Sequence, residues 1–210
     1  TVSIDLGLNE RGAGIALDSN GKIYVAGTAR SNDATTQKIV LARLFPNGLS
    51  DAGFGTLGQL VTAGPDDVCS DLIVDFLDRP TVLGRRENGI LLLRTNGGGI
   101  PDSIFGGTGL VVRNPSLGMT WNPLCLAWRA GDGYLGIAGV ETDDNAEQLP
   151  KLAVWLFSVE GEPVTGFSAD GFMDVAYSST KAGGAGVAFD LAGKLVVVGG
   201  TSSTAGDGAA

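Results

Sequence analysis

Residues 14–27 read Gly14-Ile15-Ala16-Leu17-Asp18-Ser19-Asn20-Gly21-Lys22-Ile23-Tyr24-Val25-Ala26-Gly27: an apolar run, a tight turn and a second apolar run ending in glycine. Asn20-Gly21 is a strong hairpin signal, because both residues tolerate positive φ. The stretch returns as Leu72 to Gly84, Ala127 to Gly139 and Val187 to Gly199, so its closing glycines lie 57, 55 and 60 residues apart. A second stretch follows in the first three copies. In the first copy it runs Ile39 to Leu44, then Asn47-Gly48, Asp51, Phe54-Gly55 and Gly58, and it returns as Ile90 to Gly109 and Leu152 to Gly171. An internal period of this length means that each copy is one supersecondary unit burying its apolar faces against its neighbours.

Within a copy the sequence predicts four short strands, about 13–18, 22–28, 39–45 and 58–63 in the first, rich in Val, Ile and Leu and bounded by turn residues. No segment carries a helical period, so the fold class is all-β. Four-stranded antiparallel units repeated radially make a β-propeller. The expected organisation is one repeat domain: a closing strand at 1–7, blades at 8–64, 65–118 and 119–178, and a partial blade at 179–210. Residues 1–7 match the end of a copy, 59–64, and are expected to complete the last of about four blades. Alternatively the chain is a piece of a larger propeller, needing a partner chain to complete the unfinished blade. Thr1 reads as either a mature N-terminus or the edge of a fragment.

The pattern apolar-x-Asp-x-x-Gly-Lys-Ile, then Ala42-Arg43-Leu44 with Asn47-Gly48 and Asp51, then Phe54-Gly55 and Gly58, resembles the delta-60 repeat of bacterial, usually secreted or surface, proteins. The second copy keeps Arg94, Asp102, Phe105-Gly106 and Gly109, whereas the third has Leu156 for the Arg, Val164 for the Asp, and Ser168 after Phe167. The resemblance implies a propeller-like fold and no common activity. Residues that recur in successive copies are expected to pack: Phe54, Phe105 and Phe167 as wedges between blades, and Arg43/Asp51 and Arg94/Asp102 as strand-to-turn pairs.

Composition excludes several functions. A net charge of −9 argues against a nucleic-acid partner, since no basic stripe exists to neutralise phosphates. No apolar run approaches the roughly 20 residues of a spanning helix. The chain has no histidine, which removes Ser-His-Asp and Cys-His catalysis and imidazole-based metal sites. Two cysteines in an acidic, Gly-rich, Lys-poor chain point to an extracellular or periplasmic location. Cys69 and Cys125 open the first strands of consecutive copies, where a disulfide would stabilise by roughly 3–4 kcal/mol; the alternative is two buried thiols.

The connections that vary in length, 28–38, 64–67, 85–89, 114–123 and 140–151, emerge on one face of a propeller, where ligands usually bind. They carry the candidate ligand-binding residues Trp121, Asp66, Asp67, Glu141, Asp143 and Asp144, with Glu147 nearby. Such carboxylates could hold Ca²⁺, although the order of an EF-hand loop is absent and no cofactor is expected. Trp128 and Trp155 read as core. The function this supports is a secreted or surface binding module, non-enzymatic, with a protein or carbohydrate ligand. A carboxylate-dependent hydrolase or lyase, and a structural module of a larger assembly, are the alternatives.

Overall fold

The structure, a computed structural model, describes Ile4 and residues 8–32, 35–64, 66–145, 148–176 and 180–203. All described regular structure is β apart from a single 3-10 turn at Phe105–Gly107, and no described helix is long and apolar enough to cross a membrane. The first blade is the antiparallel sheet β1 (Asn9–Leu17), β2 (Ile23–Arg30), β3 (Gln37–Leu44) and β4 (Gln59–Val61). The second is β5 (Asp67–Val74), β6 (Pro80–Arg86), β7 (Gly89–Arg94) and β8 (Leu110–Arg113). The third is β9 (Met119–Trp128), β10 (Leu135–Asp143), β11 (Lys151–Phe157) and β12 (Phe172–Val175). β13 (Thr180–Phe189) and β14 (Leu195–Ser203) pair as a fourth sheet. The strand expected to close the ring, 1–7, lies outside the described residues except for Ile4, which borders a small recess on the first blade with Gly12, Val25 and Val40.

The short apolar runs follow from burial on both faces of a blade. Along β7, Ile90 and Leu92 enter the core shared with the third blade, while Leu91 and Leu93 enter the core shared with the first. A strand sandwiched between two neighbours cannot alternate apolar with polar, so it reads as a continuous run. Where no described neighbour covers a face, alternation returns: on β1, Ile15 and Leu17 are 70% and 62% exposed, while Ala16 packs into the core between the first two blades.

The glycine that ends each repeat signature has a steric cause. The pairing of first and second strands slips by one residue in every blade, at Gly12/Gly14, Cys69/Asp71, Ala138/Gly139 and Gly184/Gly186. This bulge presses a backbone carbonyl of the first strand against the second strand. A Cβ on Gly27, Gly84, Gly139 or Gly199 would lie far inside van der Waals contact with the carbonyl oxygen of Arg11, Val68, Asn122 or Gly183.

Adjacent blades are joined by a second recurring device. Arg43 pairs with Asp51 on its own blade (Nη2–Oδ2 2.9 Å), packs over Phe54 and donates to the carbonyl of Gly97 in the next blade. Arg94 repeats this: it pairs with Asp102 (2.9 Å), lies 4.3 Å over the Phe105 ring and donates to Val159 O at 2.6 Å. Beside each, a backbone N–H crosses the same seam, Gly55 to Gly98 O and Gly106 to Glu160 O. Phe54 and Phe105 are fully buried. They press on Gly99 and Gly161, whose positive φ and close packing leave no room for a side chain. In the third blade Leu156, Val164 and Phe167 keep the backbone bonds without the charges, and Phe167 is half-buried.

The second blade also fills the Gly21 position with Asp78, at φ 57°. Its carboxylate takes Ser19 N–H at 2.7 Å and Ser19 O–H at 2.6 Å across the seam, which offsets the cost of a left-handed non-glycine residue.

Two substitutions test these accounts by chemical denaturation. Gly84→Ala is expected to destabilise by about 3 kcal/mol, whereas Gly12→Ala, with nothing within 4 Å of its Cβ position, should stay within about 0.5 kcal/mol. Arg94→Leu should cost about 3 kcal/mol, because it leaves the half-buried Asp102 with only the longer 3.4 Å contact to Arg79 and strips the seam carbonyl of Val159 of its donor. Adding Asp102→Val, which copies Leu156 and Val164, should recover about 1 kcal/mol; equal stability of the single and double variants would refute the pairing account.

Candidate functional site

The variable connections carry the loop-face ends of the strands, and two openings lie among them. The larger, about 600 Å³, is walled by the starts of β1 and β5 and the junction of β2 and β3, with Asn9, Arg11, Thr28, Arg30, Gln37 and Ser70 supplying polar groups and Leu124 an apolar edge. Its bed follows from the strand register. Asn9 pairs with Arg30 and Arg11 with Thr28, so these four side chains share one face of the β1–β2 ladder. Thr28 Oγ accepts Cys69 N–H at 2.9 Å, and Gln37 Nε2 donates to Asp66 at 2.8 Å, which ties the first blade to the second along the rim. Glu10 also borders the opening, its carboxylate accepting the N–H of Leu8.

The second opening, about 280 Å³, lies between the β6–β7 turn and the β8–β9 connection, among Glu87, Asn88, Asn114, Leu117, Met119 and Asp144. Trp121 N–H donates to Asn88 O at 2.8 Å and holds these two segments together.

The carboxylates and the tryptophan singled out from the sequence do not converge on one point. Asp67 is fully buried and bonded through both oxygens to Arg86, at 2.7 and 2.9 Å. Gly64 packs against this pair with no space for a Cβ. Asp66 is exposed and engaged by Gln37. On the third blade, Glu141 is buried beneath Trp121, accepting its indole N–H at 3.0 Å, with Lys151 at 3.6 Å. Trp121 itself packs edge-on to Trp155 at 5.5 Å and against Phe172 at 4.9 Å. Trp155 is in the core, and Trp128 stacks on Phe76. Asp143 closes its own loop by accepting the N–H groups of Asn145 and Gln148, and Asp144 accepts the Thr120 hydroxyl at 2.7 Å. Among the described residues no three acidic or thiol groups are gathered where they could hold a metal ion; Glu147 lies outside them.

Cys69 and Cys125 are free thiols, so the bridge considered from the sequence is not formed. Their surroundings explain it. Cys69 is buried in the core between the first two blades, whereas the Cys125 thiol turns into its own sheet and donates to Ala138 O. Asp71 lies between the two inner strands, its carboxylate accepting Leu126 N–H at 2.8 Å. Burial, reinforced by the Asp71 charge, pushes the Cys69 thiol up to about 12, so it is not a thiolate nucleophile at neutral pH.

With the blades and this rim in place, comparison with known families is informative. A family model described as a domain of unknown function (DUF5122), beta-propeller, matches residues 19–54. The fold is that of a β-propeller. The matched segment runs from the β1–β2 turn to Phe54 and so contains Arg43, Asp51 and the start of the inter-blade device. No curated protein matches the chain.

The residues of the larger opening were not prominent in the sequence because none belongs to a motif. Copy-by-copy comparison does carry the signal. Arg11, Thr28 and Arg30 occupy the places of Val68, Arg85 and Glu87, so they do not recur, and positions that do not recur are those free to serve a ligand.

Purified without reductant and unfolded, the protein is expected to take up two iodoacetamide groups by intact mass. In the folded state Cys69 should be protected. A mass showing no alkylation would instead mean that the two thiols are bonded.

Proposed function

We propose that the protein is a non-enzymatic binding module, secreted or surface-located, that takes a polar ligand, a carbohydrate in the first instance, on its loop face. The observation that carries this reading is the cleft of about 600 Å³ at the loop-face ends of the first two blades, whose lining brings Asn9, Arg11, Arg30, Gln37 and Ser70 together on a bed of paired strands. The carboxylates that an acid/base mechanism would need are engaged elsewhere. Asp67 is locked to Arg86 and Glu141 to Trp121 and Lys151, and the buried Cys69 is held as a neutral thiol. The delta-60 resemblance is the basis for the secreted or surface assignment, and the β-propeller match over residues 19–54 is compatible with it.

A second reading, a module within a larger assembly, is favoured by the exposed apolar rows Ile15 and Leu17 on β1 and Val196 and Val198 on β14. Size measurement in solution separates it from a monomeric binder.

Binding of fluorescently labelled protein to a glycan array tests the first reading. Retention on a subset of glycans is expected. It should be lost with Asn9→Ala/Gln37→Ala in the cleft and kept with Leu191→Ala on the opposite face. An array that retains nothing, or retains parent and cleft variant alike, overturns it.

A further inference from the structure

The cations of this acidic chain are unevenly distributed. Eight of the fourteen Lys and Arg side chains stand in ion pairs, including every one buried among the blades. Of the six that have no carboxylate within ion-pair distance among the described residues, five lie at loop-face ends of strands: Arg11, Arg30, Lys38, Arg85 and Lys181. Lys194, in the β13–β14 turn, is the exception.

Arg11 and Arg30 both border the larger cleft, on the same face of the β1–β2 ladder. They are diagonal neighbours there, Arg11 opposite Thr28 and Arg30 opposite Asn9, so their two positive charges add over one part of the cleft and favour an anion between them. The equivalent place in the second blade shows the contrast. There Asp67 and Arg86 neutralise each other directly across the β5–β6 ladder, whereas in the first blade Glu10 faces Ala29 and its carboxylate turns back to Leu8 N–H. Beside the guanidinium groups stand neutral hydrogen-bonding groups, Asn9, Gln37 and Ser70. A pair of guanidinium forks matches a carboxylate or sulfate, and amide and hydroxyl groups match sugar hydroxyls.

We infer that the cleft binds an acidic sugar, its anionic group held by Arg11 and Arg30 and its hydroxyls by Asn9, Gln37 and Ser70. This rests on the loop-face binding reading above and names the class of ligand. The overall charge of the chain disfavours any anion, so recognition depends on these two side chains at short range.

Titration of the full chain with glucuronate and with glucose, followed by amide NMR shifts, tests it, because the two sugars differ in the carboxylate alone. Glucuronate should bind at least about tenfold more tightly, with shifts at the starts of β1 and β5. Arg11→Gln and Arg30→Gln should each weaken glucuronate about tenfold and leave glucose unchanged, while Lys194→Gln changes neither. The affected Arg side chains are exposed, and an unchanged unfolding midpoint certifies the variants. Equal affinity for both sugars with shifts in the cleft overturns the acidic-sugar inference and keeps the loop-face reading. Absence of cleft shifts with either sugar, or glucuronate binding that both Arg variants retain, overturns it too, the former together with the carbohydrate reading.

Discussion

Everything in this molecule depends on how one blade holds the next. A four-stranded sheet of this size cannot bury enough apolar surface alone, so its stability lies in the seams. The guanidinium of Arg43 or Arg94 works on both sides of a seam at once. It neutralises an aspartate of its own blade, covers the buried Phe of its own turn, and donates to a turn carbonyl of the following blade. Burial works against the Arg94 charge and pulls its pKa below the usual guanidinium value, with Arg79 adding to the effect and Asp102 opposing it. Such a group is retained where it sets geometry: it dictates which turn of the next blade meets which strand of the last. Glycines 99 and 161 complete the fit, since any side chain there would push the Phe wedge out of the seam.

This device has a consequence for where a ligand can bind. The short-turn face is committed to blade-to-blade bonds, Ser19 with Asp78 and Arg129 with Gly193 O among them, and its ionic groups are largely satisfied internally. The opposite ends of the strands carry connections of unequal length and five of the six cations that have no ion-pair partner among the described residues. A propeller that repeats its packing on one face is free to vary the other.

How much of this was legible beforehand depends on the residue. The paired Arg and Asp, and the burial of Phe54 and Phe105, were readable because the first two copies repeat these residues at matching places, as shared packing requires. The seam-crossing half of the Arg interaction was not, because its acceptors are backbone carbonyls of Gly97 and Val159, which no side-chain pattern marks. Trp121 shows the converse. Its place in a long connection marks it as a candidate for ligand contact, and only the fold shows the half-buried ring resting on Trp155 and Phe172 with its N–H on Glu141. Asp67 likewise is one of two adjacent acidic residues in a connection of the sequence and half of a buried ion pair in the fold.

By itself the sequence determined the all-β class, the repeat length and the division into blades, because strand periodicity and turn chemistry are local and are written out in every copy. Only the tertiary structure decided which charges cancel and which remain available. That depends on which side chains face each other across sheets and seams, and strands separated by tens of residues in the chain meet there through a register that a one-residue bulge can change.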